Sequence, residues 1–291
     1  MSFLFSQRLA AAAAAAGPLR WKGREGVVVI LGATGTGKSK LSIDVSRRFA
    51  GEVVNADKIQ VYRGLDVTTN KLPLHDRRGV PHHLLGDLDP AAGELPPSGF
   101  RCLAAAAVAE ICERGRLPLI AGGSNSYIGA LMECSRYRSC LLWVDVDKEA
   151  LDEHLDRRVD EMVAQGMVDE LELYFAEAGD ACERHPGLAK AIGVHELGGY
   201  FRRRTAAAYD EAIRDIKENT RQLADVQFSK IERMREAGWP VQRLDATAAV
   251  RARLRGEGER DAAAAWERDV LGPGVRAVDR FLKDELGRSW I

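Results

Sequence analysis

Apolar residues in this chain fall into short unbroken runs separated by longer stripes of helical period. Val27-Val28-Val29-Ile30-Leu31 is an uninterrupted apolar run ending at a glycine, the pattern of a strand buried on both faces. Leu41, Val45 and Phe49 then recur at i, i+4 and i+8 and predict a helix that stops near Gly51. Glu52-Val53-Val54-Asn55 is a second short strand. The stretch from Arg63 to Pro97, rich in Gly, Pro, Asp and His, predicts loops with little regular structure, a length that usually serves function. Phe100, Leu103, Ala104, Ala107, Val108 and Ile111 form the next helical stripe, closed by Gly115. Leu117-Pro118-Leu119-Ile120-Ala121 follows as a third strand, whose proline favours a sheet edge or a strand start. A helix from about Tyr127 to Cys134 and a fourth strand, Leu141 to Val146, complete the alternation. Strand and helix in turn predict an α/β fold, a P-loop-like parallel sheet flanked by helices.

Beyond residue 147 the period becomes helical, giving the fold a helical C-terminal part. Leu151, Leu155, Val159 and Met162 share one face, with Gly166 as a cap. A longer helix runs from Thr205 towards Glu236 along Tyr209, Ile213, Ile216, Thr220, Leu223 and Gln227. That stripe turns polar midway, and with Lys217 and Arg221 on neighbouring positions it predicts a polar site beside the helix. Val241-Gln242-Arg243-Leu244 adds a last strand. Ala246 to Ile291 is charged, alanine-rich and uninformative, and the chain shows no repeat at a fixed period. The organisation expected is therefore an extension over 1–24, a core over 25–147, a helical region completing the site over 148–238, and the last strand with a tail over 239–291.

Composition narrows the partners. With 42 basic and 43 acidic residues the net charge is −1, so no bulk cationic field holds nucleic acid. Five cysteines, an odd number without a C-x-x-C pair, fit reduced thiols rather than a disulfide framework or a zinc site. No run of about eighteen apolar residues exists, and no membrane span is expected. Residues 1–24 hold Arg8, Arg20, Lys22 and Arg24, no acid, and an alanine run, the composition of an organelle transit peptide. A plastid is the compartment expected, with a cytoplasmic protein carrying a plain extension as the alternative.

The chemistry begins at Gly32-Ala33-Thr34-Gly35-Thr36-Gly37-Lys38-Ser39, which matches the G-x-x-x-x-G-K-[ST] phosphate-binding loop and stands between a strand and a helix as that loop requires. Its glycines let successive N–H groups point into one concavity, and the helix start adds a partial positive charge. Lys38 would sit on the outer phosphates and the Ser39 hydroxyl on a bridging Mg2+. If the strands are parallel, the second delivers Asp57 to the same edge. Gly122-Gly123-Ser124-Asn125 repeats the strand, glycine and hydroxyl order and offers a second anion-facing corner.

Four blocks resemble the isopentenyltransferase family, which includes tRNA dimethylallyltransferases and plant adenylate isopentenyltransferases: the loop of residues 32–39, Asn55-Ala56-Asp57-Lys58-Ile59-Gln60-Val61-Tyr62-Arg63-Gly64, Ala121-Gly122-Gly123-Ser124-Asn125-Ser126-Tyr127 and Lys190-Ala191-Ile192-Gly193-Val194. His82-His83-Leu84 and Thr220-Arg221-Gln222-Leu223-Ala224 are similar too. Lys58-Ile59 with Thr69-Asn70-Lys71 is nearer the plant adenylate branch. The resemblance implies that the loop, with Lys38 and Ser39, holds dimethylallyl diphosphate rather than a nucleoside triphosphate, and that Asp57 accepts the proton of the adenine N6 amine. It places Ser124 and Arg221 near the diphosphate and makes Arg158 and Lys190 phosphate-facing cations. Where the family usually carries an Arg-Gln pair, this chain has Val226-Gln227.

The acceptor expected is AMP, ADP or ATP, with Lys58, Lys71, Lys190 and Arg204 as the cations available to its phosphates. A tRNA acceptor is disfavoured by the near-zero net charge and by the lack of a cysteine beyond Cys182 for a Cys/His zinc finger. A P-loop kinase using ATP as donor and an inactive nucleotide-binding relative are the remaining alternatives.

Overall fold

The computed structural model describes residues 25–133, 137–178, 184–256 and 258–286. The stretch 1–24 that reads as an extension or transit peptide lies outside them.

Six strands form one parallel sheet: β1 (Gly26–Leu31), β2 (Gly51–Asn55), β3 (His82–His83), β4 (Leu117–Ala121), β5 (Arg138–Asp145) and β6 (Val241–Asp245). Their order across the sheet is β3-β2-β4-β1-β5-β6, so β1 lies inside it, with β4 on one side and β5 on the other. Parallel strands need a helix between them to return the chain, and the helical stripes of the sequence do this. Those helices are α1 (Lys38–Phe49), α2 (Pro97–Glu113) and α3 (Asn125–Met132), followed by α4 (Lys148–Ala164), α5 (Met167–Ala178), α6 (Val194–Arg203) and α7 (Ala206–Glu236).

Side chains on β1 alternate between two cores because successive residues of a strand point to opposite faces. Val28 and Ile30 join Leu41, Val45 and Phe49 of α1 on one face. Val27, Val29 and Leu31 join Phe100, Val108 and Ile111 of α2 on the other. Leu41, Val45 and Phe49 are buried completely or nearly so, and each such side chain contributes about 1.5–3 kcal/mol relative to exposure. The helix they anchor is therefore held rigidly below the loop that precedes it.

Of the two positions that Pro118 allows, an edge or a strand start, the structure shows the second: it is the second residue of the interior strand β4, and pairing with β1 begins only at Leu119. A strand start tolerates the missing N–H. The segment after Ala246 is ordered: α8 (Thr247–Leu254), α9 (Glu259–Trp266), a π turn at Glu267–Leu271 and α10 (Gly272–Leu286) fold back onto the face that carries α1. Ala249, Val250, Ala265, Trp266, Val270, Val278 and Leu282 are its buried contacts. α8 and α9 pack largely through alanines, whereas Val275, Val278, Phe281 and Leu282 of α10 do recur at helical spacing, a stripe that the sequence-based reading overlooked.

Candidate active site

β1 delivers the glycine-rich loop to the carboxyl edge of the sheet, where ligands bind in open parallel α/β folds. Gly37 has φ 100° and is the N-cap of α1. A Cβ at that position would also lie 2.9 Å from the ring of Trp266, so backbone conformation and close packing both demand glycine. Trp266 is fixed in turn by its Nε1, which donates to Asp44 Oδ2 at 3.1 Å, and by the Lys40 ammonium 4.6 Å from the ring centroid. The Lys38 ammonium donates to the Ala33 carbonyl at 2.6 Å. Burial pulls its pKa down to about 8, against the attraction of Asp57 and with the repulsion of Arg158. Arg158 of α4 donates to Thr34 Oγ1 at 3.2 Å, and the Asn70 amide, turned oxygen-inward, accepts from its Nη2 at 2.8 Å.

The second loop packs against the end of β2. A Cβ on Gly122 would fall 2.2 Å from the Ala56 backbone, and Ser124 N–H donates to the Ala56 carbonyl at 3.1 Å. This brings Ser124 and Asp57 to one edge. Ser124 Oγ accepts from Tyr127 N–H at 3.3 Å and caps α3. Asp57 Oδ1 accepts from the N–H groups of Ile59 at 2.9 Å and Gln60 at 3.3 Å, which orients the carboxylate. Among the described residues no hydrogen bond engages Oδ2.

Gln227 of α7 fastens the two loops together. Its Oε1 accepts from Thr34 N–H at 2.7 Å, its Nε2 donates to the Gly123 carbonyl at 3.1 Å, and its own carbonyl accepts from Asn125 Nδ2 at 3.1 Å. The polar interruption of the helix stripe is thus a structural staple buried between two glycine-rich turns.

Two cavities meet around this staple. One, of about 230 Å³, is lined by Lys38, Ser39, Asp57, His154, Arg158 and Arg253 among others. The second, of about 410 Å³, has apolar walls from Leu155, Val159 and Met162 of α4 and Ile216, Leu223 and Val226 of α7. Exposed Lys58, Lys190 and Lys230 line it as well. Thr34, Asp57, Gln60, Gly123, Arg158 and Gln227 line both, so Asp57 stands on the partition.

Comparison with known proteins decides the family. The sequence model of the IPP transferase family matches residues 60–136 and 132–234. Adenylate isopentenyltransferase 1, chloroplastic, of Arabidopsis thaliana is 45% identical over 89% of this chain and 82% of its own length. Adenylate isopentenyltransferase of Humulus lupulus is 46% identical over 88% of the chain and 90% of its own. The chain belongs to the isopentenyltransferase family. Among solved structures, a eukaryotic dimethylallyltransferase acting on tRNA superposes with a TM-score of 0.77 at 23% identity, covering 90% of this chain and 80% of that one. At that identity the likeness carries the fold alone. Some Arabidopsis relatives are named chloroplastic and another mitochondrial, and no described helix is long and apolar enough to cross a membrane.

Within the isopentenyltransferase fold the expected site residues divide between the cavities: Lys38 and Ser39 line the small polar one, Ser124, Lys190 and Lys58 the larger one, and Asp57 and Arg158 line both. Lys190 is ion-paired with Glu94. Arg221 lines neither cavity: it holds Asp156 of α4 at 2.5 Å and Glu218 at 2.6 Å, while Lys217 holds Asp160 at 2.7 Å. These basic positions fasten α7 to α4. Lys71 pairs with Asp66 and Arg204 with Glu172, and neither lines the two cavities. His82 and His83 form the edge strand β3, where His83 Nε2 meets Glu52 Oε2 at 2.8 Å. Sequence reasoning missed Lys230, His154 and Arg253. Lys230, one turn beyond Val226 on a recognised helix, could have been found; the other two carry no motif.

Proposed function

We propose that the protein transfers a dimethylallyl group from dimethylallyl diphosphate to N6 of an adenine nucleotide, releasing diphosphate. The observation that carries this reading is the pair of cavities sharing Asp57: one cationic and built on a phosphate loop, the other apolar-walled with lysines around it. The family membership and the relatives named adenylate isopentenyltransferase support the same activity.

In the reaction the N6 lone pair forms a bond to C1 of the allyl group while the C1–O bond breaks and its electron pair leaves with the diphosphate. Asp57 Oδ2 takes the N6 proton, a general-base role that suits a carboxylate oriented through its other oxygen. The loop N–H groups, Lys38 and Arg158 receive the charge that accumulates on the leaving diphosphate. Lys38 lets go of the Ala33 carbonyl to do so. Arg221 acts as a positioning residue, setting through Asp156 the helix that carries Arg158. Ser124 caps α3 and so fixes the loop that faces Asp57.

A Mg2+ ion fits this donor set as a partner of the substrate. Among the described residues no group of three His, Cys, Asp or Glu side chains could cage a metal, but the exposed Ser39 hydroxyl lines the diphosphate cavity. Magnesium keeps several waters and binds mainly through phosphate oxygens, so one hydroxyl suffices. When bound it adds positive charge to the leaving group.

The acceptor we favour is a free nucleotide rather than tRNA, because the lysines lining the second cavity match a few phosphates and the net charge of −1 offers no broad backbone-binding field. The chloroplastic relatives support a plastid address for residues 1–24. Segments 25–147, 148–238 and 239–291 would then supply the loop, the acceptor wall and the support beneath the loop. The test is one reaction containing tRNA, ATP and labelled dimethylallyl diphosphate. Label is expected in the nucleotide, and label chiefly in tRNA would overturn the acceptor assignment.

A further inference from the structure

The small cavity has a wall that the loop motif does not account for. Arg253, on α8, lines it opposite residues supplied by the loop and by α4. The neighbouring arginines are committed elsewhere: Arg251 pairs with Asp147 at 3.0 Å and Arg157 with Glu161 at 3.9 Å. Among the described residues no ion pair or hydrogen bond engages the Arg253 guanidinium, although it is exposed and within reach of the cavity.

Its charge is felt inside. His154 of α4, half-buried in the lining of the same cavity, has its pKa pulled down to about 4, first by burial and then by Arg158, Arg253 and Arg157. The imidazole is therefore neutral at physiological pH and can donate one hydrogen bond without adding charge. The cavity thus gathers Lys38, Arg158 and Arg253 around the carboxylate of Asp57, the only one lining it among the described residues. Cations in excess at one concave place repel each other in the empty protein, an arrangement that an anion of two or more charges relieves. Nor is Arg253 on a loose segment. Ala249, Val250 and Ala252 of α8 are buried, Thr247 Oγ1 accepts from Asp147 N–H at 2.9 Å, and α8 packs on both α4 and α9. The helix is held at a set distance from the loop before any ligand arrives.

We propose that Arg253 is a diphosphate-binding residue, and that α8 forms the outer wall of the leaving-group site, facing Arg158 and His154 of α4. This inference rests on the reading that the loop cavity takes the donor. A guanidinium presents a planar fork that matches phosphate oxygens bidentately, which a lysine at the same place does not. The C-terminal region then meets the phosphate loop through Trp266 below Gly37 and shares its cavity through Arg253.

The experiment is titration calorimetry of the full chain with inorganic diphosphate in magnesium buffer, on the wild type, Arg253→Ala, Arg253→Lys and Arg251→Ala, with melting temperatures and KM for dimethylallyl diphosphate and ATP measured alongside. Arg253→Ala should weaken diphosphate binding and raise the donor KM by about 10- to 100-fold, with the ATP KM and melting temperature kept. Arg253→Lys should recover part of the loss, and Arg251→Ala should bind as the wild type does. Equal diphosphate affinity in wild type and a stably folded Arg253→Ala overturns the proposal, as does a parallel loss for ATP with a lowered melting temperature. A wild type that fails to bind diphosphate while an adenine nucleotide occupies the loop cavity would overturn the donor reading itself, and Arg253 as a diphosphate residue with it.

Discussion

The two cavities that meet at Asp57 are built by opposite means. The loop cavity is made of backbone amides, glycines and cations, and its parts are locked from below: Gly37 by Trp266, and Trp266 by Asp44 and Lys40. The larger cavity is made of side chains, with aliphatic walls from α4 and α7 and lysines on flexible stems around it. A site that must stabilise charge appearing on a leaving group gains from donors that do not reorganise at that moment. A site that must seat a flat base and a variable number of phosphates gains from apolar shape and movable charges. On the proposed function, this contrast would put transition-state stabilisation on one side of Asp57 and substrate orientation on the other.

The largest effect should come from the partition itself. Asp57→Asn keeps the shape of the side chain and its turn with Ile59 and Gln60 but cannot take the N6 proton. Turnover should fall about 10²–10⁴-fold with both substrates still bound, and an Asn variant retaining more than half the wild-type rate would remove Asp57 from the mechanism. Lys38→Ala comes next, with turnover lowered by about 10²–10³-fold and diphosphate affinity reduced, because it takes away a charge aimed at the leaving group. Its pH dependence sharpens the contrast. The Lys38 ammonium titrates near 8 in the folded protein against an ordinary 10.5, so diphosphate affinity of the free wild type should decline as pH rises through 8, and the Ala variant should lack that limb. Between 8 and 10.5 the folded chain holds fewer protons at Lys38 than the unfolded chain, so the contribution of this group to stability rises with pH there. Below 8 it is a fixed penalty, and Lys38→Ala should melt higher than the wild type at pH 7, with a gap that narrows towards pH 10.

The same contrast explains what could be read from the sequence. A cavity made of backbone needs glycines at fixed spacing after a strand, and those leave a motif: residues 32–39, Asp57 after β2 and Gly122-Gly123 after β4 were all legible. A cavity made of side chains on separate helices leaves only faint marks. Leu155 and Val159 read as ordinary core stripe, and Arg221 and Lys217 as site cations, because period and charge alone cannot distinguish a residue facing a ligand from one facing Asp156 or Asp160 on the next helix. The least legible region was the one after Ala246. Its α8 and α9 pack largely through alanines and the stripe of Val275, Val278 and Leu282 in α10 carries no motif, so its role beneath the phosphate loop emerges only when Trp266 is seen against Gly37.

Gln227 tests whether the two cavities depend on each other. It satisfies Thr34 N–H in one loop and the Gly123 carbonyl in the other from a nearly buried position. Gln227→Ala leaves both groups without that partner and should cost about 1–3 kcal/mol of stability, seen as a lowered denaturation midpoint. KM should rise for both substrates together. A Gln227→Ala variant in which only one KM moves would show that the loops keep their spacing without the staple.

The smallest effect, and the finest test of how α7 is divided, belongs to Val226. The family resemblance leads one to expect arginine there; Val226 is 49% exposed and lines the larger cavity but not the loop cavity. An arginine there needs no burial of charge, so Val226→Arg should change stability by no more than about 0.5 kcal/mol. The new guanidinium would lie one turn from Lys230, among the lysines that line the acceptor side. A solvated charge of this kind is worth about 0.2–1 kcal/mol to a phosphate partner, so the ATP KM should fall by about two- to fivefold while the donor KM and turnover hold or turnover improves slightly. Steady-state kinetics with each substrate varied in turn decide it. A change confined to the donor KM would mean that the position communicates with the loop cavity after all, and that the sorting of α7 into a staple at Gln227 and an acceptor wall at Val226 is too sharp.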